Sequence, residues 1–274
     1  MLEVSPEETG LAQDAPGPRI VVAGPFLKSL VLLVPWGLLD LWVFSPSSLG
    51  QFAWPLILGA VLTLASVLGF WLASAAGFEP APLVADLFEE HLEARQQLAH
   101  FGKSIALVSV LSVVADAAEY LALSYHGVEI GSGTVRTTGN YLRDAGFYFE
   151  AATVEEIIFR LFLTSLALVL VKRALPQWSK GRGGFWAANL LQAVAFGAAH
   201  VWNGNTAFHL LPWWLCPLGV GQAWVGVALG YTFFHYGVEA TVFAHFLTDY
   251  LTVLLLLLLS AGGPRPLLLA WRLT

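Results

Sequence analysis

Three short clusters hold the residues of this chain with the chemistry to act on a substrate. The first is Glu155-Glu156-Ile157-Ile158-Phe159-Arg160, the second Phe196-Gly197-Ala198-Ala199-His200, and the third His245-Phe246-Leu247-Thr248-Asp249. Each lies inside a strongly apolar stretch. On a helix, Glu156 and Arg160 share a face four residues apart, with the carboxylate N-terminal to the cation, which is the favourable order for an ion pair. Glu155 is turned about 100° away. It has no such partner in its own helix and is left to meet residues of neighbouring helices. His245 and Asp249 share a face by the same spacing. Gly197, Ala198 and Ala199 thin the helix beside His200, and small residues let a second backbone approach closely. Together the clusters supply what hydrolysis needs: a carboxylate to take a proton from water, imidazoles to orient that water or donate to an oxyanion, and an arginine to fix the geometry.

Each cluster also has a plainer reading. Glu156 and Arg160 can be an ion-pair node between helices, His200 a buried histidine bonded to a backbone carbonyl, and His245 with Asp249 a self-contained hydrogen-bonded pair. Two adjacent glutamates weigh against the first, because only one can pair with Arg160 along the helix. No G-x-S-x-G, H-E-x-x-H or G-x-x-x-x-G-K-[ST] pattern occurs, so serine-nucleophile, zincin and ATPase chemistry has no support. Glu155, His200, His245 and Asp249 also form a possible mixed nitrogen and oxygen ligand set for a divalent metal such as zinc. Without a histidine pair at i and i+4, a glutamate-activated water is preferred and no cofactor is expected.

The elements that must position these residues follow from composition. Of 274 residues 57% are hydrophobic and 12% charged, against about 25% charged in soluble domains. The bilayer is the expected solvent. A net charge of -6 and the lack of a Lys/Arg run leave no electrostatic footprint for nucleic acid. A single cysteine, Cys216, excludes an internal disulfide and a cysteine-based zinc cluster.

A spanning helix needs roughly 20 apolar residues, and seven stretches qualify, all predicted to be helices: Leu27 to Phe44, Phe52 to Phe78, Ser104 to Tyr125, Phe147 to Val171, Phe185 to Trp202, Leu211 to Tyr236 and Val238 to Ser260. The break between the fifth and sixth is expected at Asn203-Gly204-Asn205, with an eighth span if His209 to Cys216 is re-entrant. The fold class is therefore all-α, a polytopic membrane protein of seven to eight helices enclosing a polar cavity. Residues 1–25, acidic and broken by prolines, read as a mobile tail. They lack the positive start of a secretory signal, so the N-terminus is expected to be retained. Residues 26–274 read as one membrane domain with its catalytic core at about 104–260. Between the second and third spans, Val84, Leu87, Phe88, His91 and Arg95 recur at helical spacing opposite Glu89, Glu90 and Glu93, which predicts an interfacial amphipathic helix at about 84–102.

Lys172, Arg173, Lys180 and Arg182 follow the fourth span, and cytoplasmic loops are enriched in Lys/Arg. Placing that loop inside puts Arg19, Lys28, Arg95 and Lys103 inside too, against Arg136, Arg143, Arg265 and Arg272 outside. One feature resists this layout. His200 is late in its stretch and His245 early in its own, with one span between them, so simple topology sends them toward opposite membrane faces. They meet only near the midplane, on tilted helices, or through a re-entrant 209–216.

Glu155-Glu156-x-x-x-Arg160, Phe196-x-x-x-His200 and His245-x-x-x-Asp249, in that order and each in its own apolar helix, resemble the three signature motifs of the CPBP intramembrane proteases, also called the CAAX protease and bacteriocin-processing or Abi family. The resemblance covers about residues 104–260. It implies an intramembrane endopeptidase of the glutamate type, in which Glu155 with His200 activates water, His245 and Asp249 stabilise the oxyanion, and Glu156 and Arg160 support the site. It implies a membrane-associated or lipidated protein or peptide as substrate, with prenylated C-terminal motifs, bacteriocins and sorting tails among the substrates of relatives. The expected location is a bacterial inner membrane, multi-pass, with the N-terminus cytoplasmic. The chain departs from the commonest pattern, which has asparagine where Asp249 stands. An ionised Asp249 cannot donate to an oxyanion, so it is protonated, orients His245, or ligates a metal.

Two other function classes use the same residues. A proton-coupled transporter would employ the membrane carboxylates and histidines as a relay, although no internal repeat is visible to support an inverted-repeat fold. A non-catalytic scaffold would use Gly226 and Gly230, at G-x-x-x-G spacing, for helix association. Asp40, Asp116, Glu119, Glu150 and Glu239 fall outside the three motifs. Asp116 and Glu119 share a face and either line the same wet cavity or make helix-packing hydrogen bonds.

Overall fold

A computed structural model describes residues 24–44, 53–82, 102, 105, 106, 108–118, 141–178, 182–208 and 216–261. These residues form helices and short turns, with no strand among them. In chain order they are α1 (Pro25–Phe44), α2 (Ala53–Ala76), α3 (Val108–Ala118) and α4 (Tyr141–Glu155). A π-helical segment (Glu156–Thr164) then leads into α5 (Ser165–Ala174), and a short 3-10 turn (Pro176–Trp178) precedes α6 (Arg182–Phe208) and α7 (Cys216–Ala261). The tail at 1–23, residues 209–215, Glu119 and nearly all of the expected amphipathic helix lie outside the described residues. The break expected at Asn203-Gly204-Asn205 is not there. Helix α6 runs on to Phe208, because one glycine costs a helix only about 1 kcal/mol.

The surface shows which solvent these helices face. On α2, Leu56, Ile57, Val61, Leu64 and Trp71 are exposed, as are Leu190, Leu191 and Val194 on α6 and Val220 and Trp224 on α7. Exposed apolar faces of this extent are rare on soluble monomers. Leu56–Ala76 and Leu218–Leu255 are long and apolar enough to cross a membrane.

Helix α7 is two helices in one. Gly237 has φ 86° and ψ 175°, a region essentially reserved for glycine. In a straight helix Gln222 and Thr252 would be about 45 Å apart at 1.5 Å per residue. Both donate to the same carboxylate, Gln222 Nε2 to Asp116 Oδ1 at 3.2 Å and Thr252 Oγ1 to Asp116 Oδ2 at 2.8 Å. The chain therefore folds back at Gly237, where composition also divides the last two spans, and the limbs on either side are about 32 and 36 Å long, enough to cross the bilayer's ~30 Å hydrocarbon core. A strap after α2 holds the reversal: Val238 N donates to Pro80 O at 2.7 Å, and a Cβ on Gly237 would run into Pro82. Lys28 pairs with Glu79 at 2.6 Å, and Lys172 Nζ donates to Ala76 O at 2.5 Å, so the same end of the bundle carries the basic residues of α1 and α5.

The reversal brings His245 to the same Phe196 ring that His200 touches. The limb before Gly237 packs antiparallel on α6, where a Cβ on Gly197 would collide with Gly219 O. Gly226 and Gly230 lie against Ala193, Asn189 and Gln192 of α6, so their small size serves packing within the chain. Gln192 Nε2 donates to Gly226 O at 2.8 Å and Asn189 Nδ2 to Val227 O at 3.1 Å across this seam. The limb after Gly237 returns beside α6, and the ring of Phe196 is 4.5 Å from His200 and 5.9 Å from His245, centroid to centroid.

Candidate active site

The π-helical segment places the first motif. Its wider turn, with hydrogen bonds reaching to i+5, is rare and recurs at functional sites; here Thr164 Oγ1 donates to Phe159 O at 2.8 Å. The Glu156 and Arg160 pair forms as expected, Oε1 to Nη1 at 3.0 Å, with both side chains wholly buried. The guanidinium also lies over the Phe196 ring, 4.2 Å from its centroid, a cation–π contact. Its nitrogens make no hydrogen bond to described groups, so the pair is held by charge and packing.

The sequence missed the second partner of Glu156. Its Oε1 also receives His245 Nδ1 at 2.7 Å, so Glu156 joins the arginine of one helix to the histidine of another. A carboxylate only accepts, which makes Nδ1 the donor and turns His245 Nε2 toward two other carboxylates. Those are Glu155 Oε2 at 3.8 Å and Asp249 Oδ2 at 3.6 Å. Both glutamates therefore bear on one imidazole, at opposite nitrogens, although α-helical geometry turns them apart. Nothing in a linear spacing reports a contact that needs α7 to reverse first.

The cluster has a dry side and an open side. Glu156, Arg160 and His245 are buried at 0–6% side-chain exposure, while Glu155 and Asp249 keep 33% and 30%. The 3.6–3.8 Å separations at Nε2 exceed hydrogen-bond reach and suit a bridging water or a substrate oxygen. Across Phe196, His200 has Nδ1 2.9 Å from Phe196 O. The carbonyl can only accept, so Nδ1 carries a proton and Nε2 is the nitrogen turned away from the backbone bond. His200 thus makes the backbone bond of the plainer reading and keeps its other nitrogen for chemistry.

Asp116 reaches this neighbourhood from α3, accepting from Thr252 three residues beyond Asp249. The spacing of α3 alone left its role open. Among the described residues no three His, Cys, Asp or Glu side chains converge in a metal-ligating arrangement. A cavity of about 180 Å³ lies elsewhere, at the end of the bundle that holds Ala76, Lys172 and Trp178.

Residues 142–251 match the family model described as type II CAAX prenyl endopeptidase Rce1-like. No curated protein matches the chain, and no solved structure does. The matched stretch holds all three motifs, the whole cluster around His245 and the reversal at Gly237 that assembles it. Over these 110 of its 274 residues the chain is similar to the type II CAAX prenyl endopeptidases, a family of membrane-embedded peptide hydrolases.

Proposed function

We propose that the chain is a glutamate-type intramembrane endopeptidase whose reacting water sits between Glu155, Asp249 and His245, with His200 reaching it from α6. The supporting observation is the convergence of Glu155 and Asp249 on His245 Nε2 while Glu156 holds Nδ1. Glu155 takes a proton from water as the hydroxyl oxygen attacks the scissile carbonyl, and His200 Nε2 fixes the water by accepting its other hydrogen. His245, donating from Nδ1 to Glu156, donates from Nε2 to the oxyanion, with a protonated Asp249 as second donor. Collapse breaks the carbon–nitrogen bond, and Glu155 returns its proton to the leaving amine. Arg160 and Glu156 position the ring and touch no substrate.

The substrate class in this reading is a membrane-associated peptide, with prenylated CAAX termini the first to try, because the matched family's description names them. The bundle has seven to eight spans around a water-containing cavity, an N-terminal tail before residue 26, and its Lys28 and Lys172 end in the cytoplasm of a bacterial inner membrane. The test is a farnesylated CAAX peptide offered to the purified protein in liposomes. The expected result is release of the terminal tripeptide, with a loss of about 10²-fold or more in Glu155→Gln. Equal release by Glu155→Gln would reject Glu155 as the base.

A further inference from the structure

We infer that Asp116 is a positioning residue for the peptidase site and that α3 is a splint which fixes the His245 to Asp249 turn. This rests on the reading above for what the turn does, and on separate contacts for how it is held. Two polar side chains of α3, Ser109 and Asp116, are seven residues apart on one face. Ser109 Oγ donates to Ala244 O at 3.1 Å in a buried contact, one residue before His245. Asp116 Oδ2 accepts from Thr252 Oγ1 at 2.8 Å, three residues after Asp249. Seven residues of α3 rise about 10.5 Å and the eight from Ala244 to Thr252 about 12 Å, so the two helices run in parallel and their contacts bracket the turn that carries both site residues.

The other oxygen of Asp116 accepts from Gln222 at 3.2 Å on the opposite limb of α7. Gln222 and Thr252 each lie 15 residues from Gly237, so one carboxylate ties the two limbs at equal height, far from the hinge. At the hinge the limbs are joined by the chain and the strap; toward their open end this carboxylate joins them. Val108 of α3 packs with Phe196, Val225, Leu229 and Ala244, which seats the splint against the ring that touches both histidines. Asp116 is half-buried and bridges two neutral donors. Its geometric task is thus one an uncharged amide can take over, with the carbonyl accepting from Gln222 and the amide nitrogen donating to Thr252 Oγ1.

The test compares Asp116→Asn and Asp116→Leu by two readouts. In a Cys216→Ser background, spin labels on Val220→Cys and Leu251→Cys, both on exposed faces of the limbs, report the limb separation without any substrate. Kinetics on the farnesylated CAAX peptide report the consequence. Asp116→Leu should broaden and lengthen the label distance and lower kcat by about 10- to 100-fold while KM stays within about twofold. Asp116→Asn should keep the wild-type distance and at least a third of kcat. Thr252→Val removes one arm of the bridge and should show the same split, weaker, which serves if Asp116→Leu does not fold. An unchanged distance in both Asp116→Leu and Thr252→Val overturns the splint. An Asp116→Asn variant with a normal distance but the kcat of Asp116→Leu overturns positioning in favour of a role for the charge. If wild type and Glu155→Gln treat the peptide alike, the peptidase reading fails instead, and the label distances still decide the splint.

Discussion

Replacing Glu156 by glutamine separates the structural half of the site from the reacting half. The carboxylate serves a wholly buried Arg160 at 3.0 Å and a buried His245 at 2.7 Å through the same oxygen. The amide keeps an oxygen for His245 Nδ1 but leaves the guanidinium as an uncompensated buried charge, and breaking a buried pair in this way costs about 3 to 5 kcal/mol. The amide dipole returns part of that, so a net loss of about 2 to 4 kcal/mol is expected. At roughly 2 to 4 °C per kcal/mol for a chain of this size, Tm should fall by about 5 to 15 °C. Glu155 is different: its side chain is one-third exposed, and its buried Oε2 lies 3.8 Å from His245 Nε2, with no hydrogen bond to described groups. A contact of that kind contributes at most about 1 kcal/mol, so Glu155→Gln should stay within about 3 °C of wild type. The assay is thermal unfolding in detergent followed by the fluorescence of the 11 tryptophans. Removing both charges in Glu156→Gln with Arg160→Met should recover most of the loss, since a neutral buried pair carries no desolvated ion. A Glu156→Gln protein as stable as wild type, with Glu155→Gln unfolded, would refute the division of roles.

Three further outcomes follow from the same geometry. Gly237→Ala puts a side chain at φ 86° against Pro82 and Glu239; backbone strain alone costs about 1 to 3 kcal/mol, so the variant should lose stability in unfolding scans and activity with it. His200→Ala removes a ring whose Nδ1 bonds within its own helix, and should abolish peptide cleavage while Tm moves by less than about 3 °C. Asp249→Asn should keep kcat within about tenfold, its amide donating where a protonated carboxyl would; an inactive variant with bound metal absent by elemental analysis would leave orientation of His245 as the role of Asp249.

Much of the fold was legible because apolar length is a strong signal. The boundaries of α1 and α2 and the division at Gly237 fall within a few residues of where charge and hydropathy place them. The i to i+4 pairs, Glu156 with Arg160 and His245 with Asp249, were legible for the same reason, since they need only one helix. What escaped were relations between elements. The π-helical turn at 156–164 leaves no periodicity signature in nine residues, and it changes where Glu155 and Glu156 point. The bond from Glu156 to His245 crosses two helices. A late His200 and an early His245 were expected toward opposite faces; the ring of Phe196, one turn before His200, touches both. Asp116 was visible as a polar residue in an apolar helix, but its two partners lie 30 residues apart on one element, a proximity only the reversal creates.

The central claim is that Glu155 activates a water which ends in the product. It is tested most directly by cleaving the farnesylated peptide in heavy-oxygen water, in liposomes, and weighing the new C-terminus by mass spectrometry. Wild type should leave one heavy oxygen in the new carboxylate, and a Glu155→Gln protein of normal Tm should give no cleaved product. Cleavage by Glu155→Gln at the wild-type rate would contradict it, as would an intact peptide in wild-type liposomes that instead conduct protons through the same carboxylates and histidines.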